Sequence, residues 1–534
     1  MKEKSWLWIL SLAAIFLYTF KLGALPLRDW DEGIVATVAR EISRSDFQDL
    51  VWLFPRNLDG AAYWNKPPLV HDLIALSYHI FGVSEWSSRI VPSLFGAAAV
   101  PLVYLIGREI FTSDRPALLS AVVYLTLIPV VRHQRLAMLD GAVVSEFCFA
   151  VWCWLRLTRK DRKDSNRHLL SFLLGLGLSL LSLTKGVAIA VLLYGILGLF
   201  AILESSILGI ISKLNILWFL GGLIPGLTWY GLQYVHYGQD FLSYNLGTQT
   251  FGRAIAAVEN NAQPVWYYLL ELVKYSLPWL IFLPQGISLA WRKSNLIWAK
   301  LSLLWFGSYL WVISLMGTKL PWYIMPIYPV FALLVGAGLE QIIGKQKSQV
   351  RSKLIFNRKN QIYFICLLFC GGLFGLVAGC LLFVTPRDLG LIAIAFSLSC
   401  TLILAAVLFQ KNSNYFILTL VGGIYIALLI LLITPHAIWE LAESYPVKPV
   451  AKLVKSNTPQ AATIYTNYPL HRPSLNFYSD RLVVPLESPE VATLPPSNRT
   501  GYFLVNLELS PATKITGETV AEIVGWQLIK IISK

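Results

Sequence analysis

Apolar runs of roughly 17–25 residues, the length that crosses a bilayer's hydrocarbon, recur along most of the chain. They cover residues 5–24, 89–107, 116–131, 137–155, 168–184, 186–203, 214–234, 265–290, 297–316, 321–343, 361–384, 388–409 and 414–434, which predicts about thirteen transmembrane helices. No small-residue cleavage site follows the first run, so it is read as an uncleaved span. Basic residues bunch in the short loops between runs. One group is Arg156, Arg159, Lys160, Arg162 and Lys163; another is Lys345, Lys347, Arg351, Lys353, Arg358 and Lys359. With the basic N-terminus inside, both groups and Arg292–Lys293 fall on the inner side, as positive-inside bias requires. An odd number of spans then places the C-terminal tail outside.

Two polar regions break the pattern, both on the predicted outer side. Residues 26–88 form a large loop containing an apolar segment, 69–81, bounded by Pro67–Pro68. It is too short to span and is expected to lie along the interface. The tail, 439–534, alternates short β-rich runs (462–466, 482–485, 502–507, 527–532) with a helical stretch near 450–456. This predicts a small α/β domain. The expected organisation is a mainly α, polytopic membrane unit over 1–438 and an extracytoplasmic α/β domain over 439–534.

Composition agrees. Hydrophobic residues make up 56% and charged residues 14%, too few charges to coat a soluble protein of this length. The net charge of +14 sits in loops rather than on an aromatic-studded soluble module, so no nucleic-acid partner is expected. The six cysteines all fall in apolar runs, without the spacing of a zinc site or a disulfide framework.

Chemistry concentrates on the predicted outer side. Arg28-Asp29-Trp30-Asp31-Glu32-Gly33 opens the large loop, and an acid there can act as a general base or bind a cation. The plainer alternative is a solvated helix start, where acids favour the dipole. Tyr63-Trp64-Asn65-Lys66-Pro67-Pro68 sets a rigid cation among aromatics, its plainer reading being a lysine snorkelling to lipid phosphate. Lys185 and Lys319 sit at outer span ends, against the positive-inside trend, and with Lys66 they look like an anion site. Arg135-Leu136-Ala137-Met138-Leu139-Asp140 brings an acid into a span start. Such an acid is costly and has a function or a partner; Arg132, His133 and Arg135 are the near candidates for an ion pair. Arg253 lies in the outer loop 236–264. Carboxylates and cations on one membrane face suit attack on a sugar carried by a lipid phosphate: a carboxylate takes the acceptor's proton and cations stabilise the leaving phosphate.

These motifs, in this order, resemble the GT-C glycosyltransferases of the aminoarabinose-transferase and protein O-mannosyltransferase superfamily. Asp31-Glu32 looks like the family's acidic pair, which implies Asp31 as catalytic base. Trp64 to Leu69 is similar to its aromatic-x-Lys-Pro-Pro-Leu motif, which implies that Lys66 contacts the donor phosphate. Arg135 to Asp140 resembles the Arg…Leu-Asp motif, Thr184-Lys185-Gly186 the Thr-Lys-Gly motif, and Lys319-Leu320-Pro321-x-Tyr323 a segment that implies Tyr323 near the phosphate. Pro473 to Tyr478 is like a recurrent element of the outer domain. Val35 and Asn65 depart from the aminoarabinose-transferase pattern, which tends to have an aromatic and a Glu there; Asn65 removes a metal-binding carboxylate. The resemblance therefore implies a GT-C fold and a polyprenyl-phosphate-linked sugar as donor. Asp31, Glu32 and Asp140 would be catalytic, and Lys66, Lys185, Arg253, Lys319 and Tyr323 would hold the donor phosphate. Arg135 and Trp64 would contact the acceptor or support the site. No metal or cofactor is expected, and the acceptor is a lipid, glycan or protein. A transporter or lipid flippase is the alternative from another class; it would place acids near the bilayer midplane and break helices in pairs.

Overall fold

The structure is a computed structural model. It describes residues 3–158, 166–204, 214–257, 261–352, 358–413, 415–437, 445–486, 501–509 and 517–531. The basic residues Arg159, Lys160, Arg162, Lys163 and Lys353, and the expected domain junction near 439, lie outside them.

The described chain is mostly helical. Eight helices are long and apolar enough to cross a membrane: Glu85–Ile110 (α4), Asp140–Thr158 (α7), Arg167–Lys185 (α8), Ile297–Leu315, Ile327–Gly344 within a longer helix, Gln361–Leu381, Leu389–Gln410 and Tyr415–Ile433. Glu3–Thr19 (α1) and Val187–Leu203 (α9) are shorter apolar helices. Two runs expected as single spans are broken. Residues 116–131 divide into Asp114–Leu125 (α5) and Ile128–His133 (α6). Residues 265–290 divide into Tyr267–Tyr275, a 3-10 turn Trp279–Phe282, and Leu283–Arg292. Pro129, Pro278 and Pro284 sit at these breaks, where a missing N–H and a ring clash end an α-helix.

α8 and the helix Ile216–Tyr237 cross almost backbone to backbone. A Cβ on Gly175 would stand 2.2 Å from the Phe219 carbonyl oxygen, and one on Gly222 2.2 Å from that of Phe172. Small residues permit such approaches where hydrocarbon offers no hydrophobic drive between helices. Large apolar side chains such as Leu217, Phe369, Leu376 and Leu418 are exposed along the helices, a surface suited to lipid rather than water.

At one end of the bundle lie two short helices of the large loop, Asp31–Arg44 (α2) and Leu69–Phe81 (α3). α3 occupies the segment expected at the interface; its Leu76, Ile80 and Phe81 are exposed. The tail forms a five-stranded sheet in the order β2-β1-β3-β5-β4. Thr463–Thr466 (β1) pairs in parallel with Leu482–Pro485 (β2) and Gly501–Asn506 (β3); Trp526–Ile531 (β5) is antiparallel to β3 and to Glu518–Ile523 (β4). Val450, Val454, Ile464, Leu475, Leu504 and Leu528 fill its core between sheet and helices. β4 was not expected, since its burial is low along its whole length.

The helix Pro473–Ser479 of the tail packs on α2. Arg40 donates to the Phe477 carbonyl (2.5 Å), and Arg44 reaches both oxygens of Asp480 (2.8 and 2.9 Å). A Cβ on Gly33 would meet the Ser474 backbone nitrogen at 2.4 Å. No side-chain rotation relieves a clash with backbone, so Gly33→Ala is expected to cost about 1–3 kcal/mol. A thermal-unfolding midpoint equal to wild type would show that the docking is looser than described.

Candidate active site

Trp30 precedes α2 in an unusual conformation, φ 62° and ψ −104°, and sets three neighbouring acids in three directions. Asp29 is buried and turns to the tail: its carboxylate accepts from Arg472 Nη1 (2.7 Å), Ser474 Oγ (2.5 Å) and Ser474 N (3.2 Å). Glu32 turns into the bundle, accepting from Arg89 Nε and Nη2 (both 2.8 Å) and from the backbone N–H of Ala137 (2.7 Å) and Arg28 (2.8 Å). Burial alone would raise its pKa, but the charge and hydrogen bonds of Arg89 hold it below the usual carboxylate range. Asp31 has no hydrogen-bond or ion-pair partner among the described residues and keeps a partly accessible surface. Its carboxyl is raised to about 6, by burial first and then by Asp140, against the opposing pull of Lys185, Lys66 and Arg28.

Around Asp31 the structure gathers residues from five more stretches. Asp140, at the start of α7, pairs with Lys185, the last residue of α8. The Lys185 ammonium lies 5.6 Å from the ring centroid of Tyr323, and the Tyr323 hydroxyl accepts from Arg253 Nη1 (3.3 Å). Lys66 is half-buried, and no anionic or hydrogen-bonding partner is found for it among the described residues. Its ammonium is lowered to about 7, by burial first and then by Arg253 and Lys185, against the opposing pull of Asp31 and Asp140. An unpartnered cation beside two others is an arrangement that awaits an anion.

Trp64 packs edge-on against Tyr237 (centroids 5.3 Å) and tilted on Tyr244 (5.9 Å), and its carbonyl accepts from Asn245. With the Tyr244–Asn65 hydrogen bond, this fixes the backbone just before Lys66. The Lys319 ammonium donates one hydrogen bond to the Met316 carbonyl, and the residue's backbone N–H donates to that of Asn261 (3.0 Å). Lys319 closes the turn leading to Tyr323. Arg135 does not pair with Asp140. It donates to the carbonyls of Leu17 (2.8 Å) and Phe20 (2.6 Å) at the end of α1, where orphan carbonyls and the dipole favour a cation; Asp140 finds its partner 45 residues on instead.

Asp29 and Ser474 lie in motifs the sequence marks but carry no role there, and Arg89, Arg472 and Glu146 belong to no such motif. Arg89 carried a signal, being an arginine at the head of an apolar run. Glu146 is buried in α7 and accepts from Thr184 (2.8 Å), the residue before Lys185. No group of three His, Cys, Asp or Glu side chains capable of holding a metal converges among the described residues.

The pattern of the dolichyl-phosphate-mannose-protein mannosyltransferase family matches residues 65–229. The undecaprenyl phosphate-alpha-4-amino-4-deoxy-L-arabinose arabinosyl transferase 1 of Pseudomonas fluorescens strain Pf-5 is 28% identical over 361 residues, 66% of this chain and 62% of that one. An uncharacterized protein of Aquifex aeolicus is 27% identical over 327 residues, 60% of this chain and 61% of that one. The chain thus spans about three-fifths of the length of these curated relatives. Among solved structures, ArnT from Cupriavidus metallidurans bound to undecaprenyl phosphate superposes with a TM-score of 0.79 over 99% of this chain and 98% of that one, at 16% identity. The apo oligosaccharyltransferase of Archaeoglobus fulgidus gives 0.53 over 95% and 70%, at 12% identity. The chain is a multi-pass membrane protein with the fold of the GT-C glycosyltransferase superfamily. Sequence and fold alike are similar to the aminoarabinose transferases.

Proposed function

We propose that this protein is an inverting membrane glycosyltransferase. It moves a monosaccharide from a polyprenyl-phosphate carrier to a lipid, glycan or protein acceptor at the outer face of the membrane, with the N-terminus cytoplasmic and no metal required. The observation that carries the reading is one unpartnered carboxylate, Asp31, beside a cluster of cations, Lys66, Lys185 and Arg253, and the Tyr323 hydroxyl. Asp31 takes the proton of the acceptor hydroxyl as its oxygen bonds to the anomeric carbon. The bond from that carbon to the phosphate oxygen breaks, and its electron pair leaves with the phosphate. Lys66, Arg253 and Tyr323 stabilise the added negative charge. Asp140 holds Lys185 toward the same anion, and Glu32 braces the helix that presents Asp31. The ArnT structure with bound undecaprenyl phosphate and the arabinosyl transferases among the relatives support a lipid-phosphate donor.

Purified protein given polyprenyl-phosphate sugars and membrane-extract acceptors is expected to release polyprenyl phosphate in step with acceptor glycosylation. A donor that merely changes leaflet in vesicles, covalently intact, would establish transport instead.

The pH dependence follows from the two perturbed groups. Asp31 must be ionised, so kcat/KM rises as pH passes about 6. Lys66 must be charged, so kcat/KM falls above about 7. The result is a narrow bell whose limbs belong to the coupled cluster rather than to either residue alone. Lys66→Arg, always charged, is expected to remove the alkaline limb. An alkaline limb unchanged in that variant would assign it to another group. Lys66→Ala is expected to lower donor affinity by about 10–100-fold, the worth of a charge-assisted hydrogen bond of about 1.5–3 kcal/mol; an unchanged donor Kd contradicts the phosphate contact.

A further inference from the structure

We propose that the C-terminal domain is a working part of the reaction, resting on the transfer chemistry above: Arg472 and Ser474 are positioning residues that hold the Asp31 carboxylate in place through Asp29. The loop before α2 is fastened on both sides of Trp30. Downstream, Glu32 is fixed to Arg89. Upstream, the side-chain bonds of Asp29 go, among the described residues, to partners more than 440 positions away, Arg472 and Ser474. Between the two fastenings Trp30 adopts a positive φ that L side chains seldom take, a conformation that persists where surroundings over-determine it. Among the described residues Asp31 has no side-chain partner of its own, so the backbone at 29–32 is what sets the point from which its carboxylate projects.

The tail prepares its half of this contact in advance. The Arg472 guanidinium lies between the rings of Tyr445 and Tyr468, 3.8 and 3.9 Å from their centroids. Cation–π stacking on both faces aims it before Asp29 arrives. Adhesion of the domain has separate means: Arg40 and Arg44 to Asp480, Tyr478 to Glu85 (2.9 Å), and Lys448 to Glu85. The clasp on Asp29 is therefore additional to docking, and it lies two residues from the base.

The test compares Arg472→Gln with Asp480→Asn, which loosens adhesion but leaves the clasp. Arg472→Gln is expected to lower kcat about 10–100-fold, the effect of a displacement near 1 Å at a reacting group. Donor KM should stay within about twofold, because that substitution leaves the cations alone, and the acid limb of the pH profile should move. Amide hydrogen exchange across residues 28–33 should accelerate in Arg472→Gln and stay slow in Asp480→Asn. Arg472→Lys, which keeps the charge, should recover part of kcat. If Arg472→Gln fails to fold, Ser474→Ala removes one hydroxyl and should show the same pattern in smaller measure. Wild-type kcat, or wild-type exchange across 28–33, in the clasp variants overturns the proposal. Exchange is read without any substrate, so a wild-type protein that transferred no sugar would refute the transferase reading while leaving the clasp still decided by that measurement.

Discussion

Asp31→Asn is expected to reduce turnover by about 10²–10⁴-fold while leaving the protein folded and its donor affinity close to wild type. General-base assistance contributes typically about 10²–10⁴-fold, and no described carboxylate nearby is free to replace it: Asp140 is held by Lys185, Glu32 by Arg89 and Asp29 by Arg472. The substitution also has a stability signature. Burial raises the folded-state pKa of Asp31 to about 6, from 3.8, so the folded state holds its proton more tightly than the unfolded one between those values. Stability from this group is full below about 3.8 and is lost as pH rises to about 6. Asn does not ionise, so the variant should unfold at a higher temperature than wild type at pH 7, with the gain gone near pH 3.5. A variant that is inactive but no more stable at pH 7 would show that Asp31 is not held in an environment hostile to its charge. A variant with a tenth or more of wild-type activity would remove it from the role of base.

Breaking the pair behind that base has a different consequence. Arg89→Met is expected to destabilise the protein by about 3–5 kcal/mol, because the Glu32 carboxylate would be left charged and buried. Arg89 also satisfies the carbonyls of Leu22, Leu25 and Pro26, so one side chain ties the end of α1 to the start of α2. Glu32→Gln should be milder in hydrogen bonding, since an amide oxygen still accepts from Ala137, yet it strands a buried guanidinium. The combined variant should cost less than the sum of the two, the mark of direct coupling. The sign of the pH effect is fixed: the Glu32 pKa lies below its ordinary value. Its stabilisation is thus present above that ordinary value and lost as pH falls through the folded-state pKa. The penalty of Glu32→Gln should shrink in acid. Additive penalties with no pH dependence would mean that the two groups do not share their charge.

Much of this architecture was legible in the chain. Long apolar runs announce their helices through composition alone, and α3 appears where a short apolar segment follows two prolines. The breaks at Leu125–Ile128 and Tyr275–Leu283 were not legible, because prolines are common in membrane helices and only the packed neighbours decide whether one bends or ends a helix. β4 lacks the alternation of a half-buried strand, and only its pairing with β5 defines it. At the site, residue types were readable and their division of labour was not. Asp29, Asp31 and Glu32 look alike in sequence. What separates them is Arg472 at a distance of 443 residues and Arg89 at 57, and local patterns carry no trace of such pairings. The same holds for Arg135, whose nearest acid in sequence is not its partner.

The central claim is a single displacement in which Asp31 acts as base and the phosphate leaves toward Lys66, Arg253 and Tyr323. The measurement that bears on it most directly is the anomeric configuration of the product, read by NMR coupling constants after transfer from a donor of known configuration. Inversion at the anomeric carbon is the result expected. Retention would require either two displacements through a glycosyl–enzyme bond or attack from the face the phosphate leaves, and either would contradict the single in-line displacement with Asp31 as base.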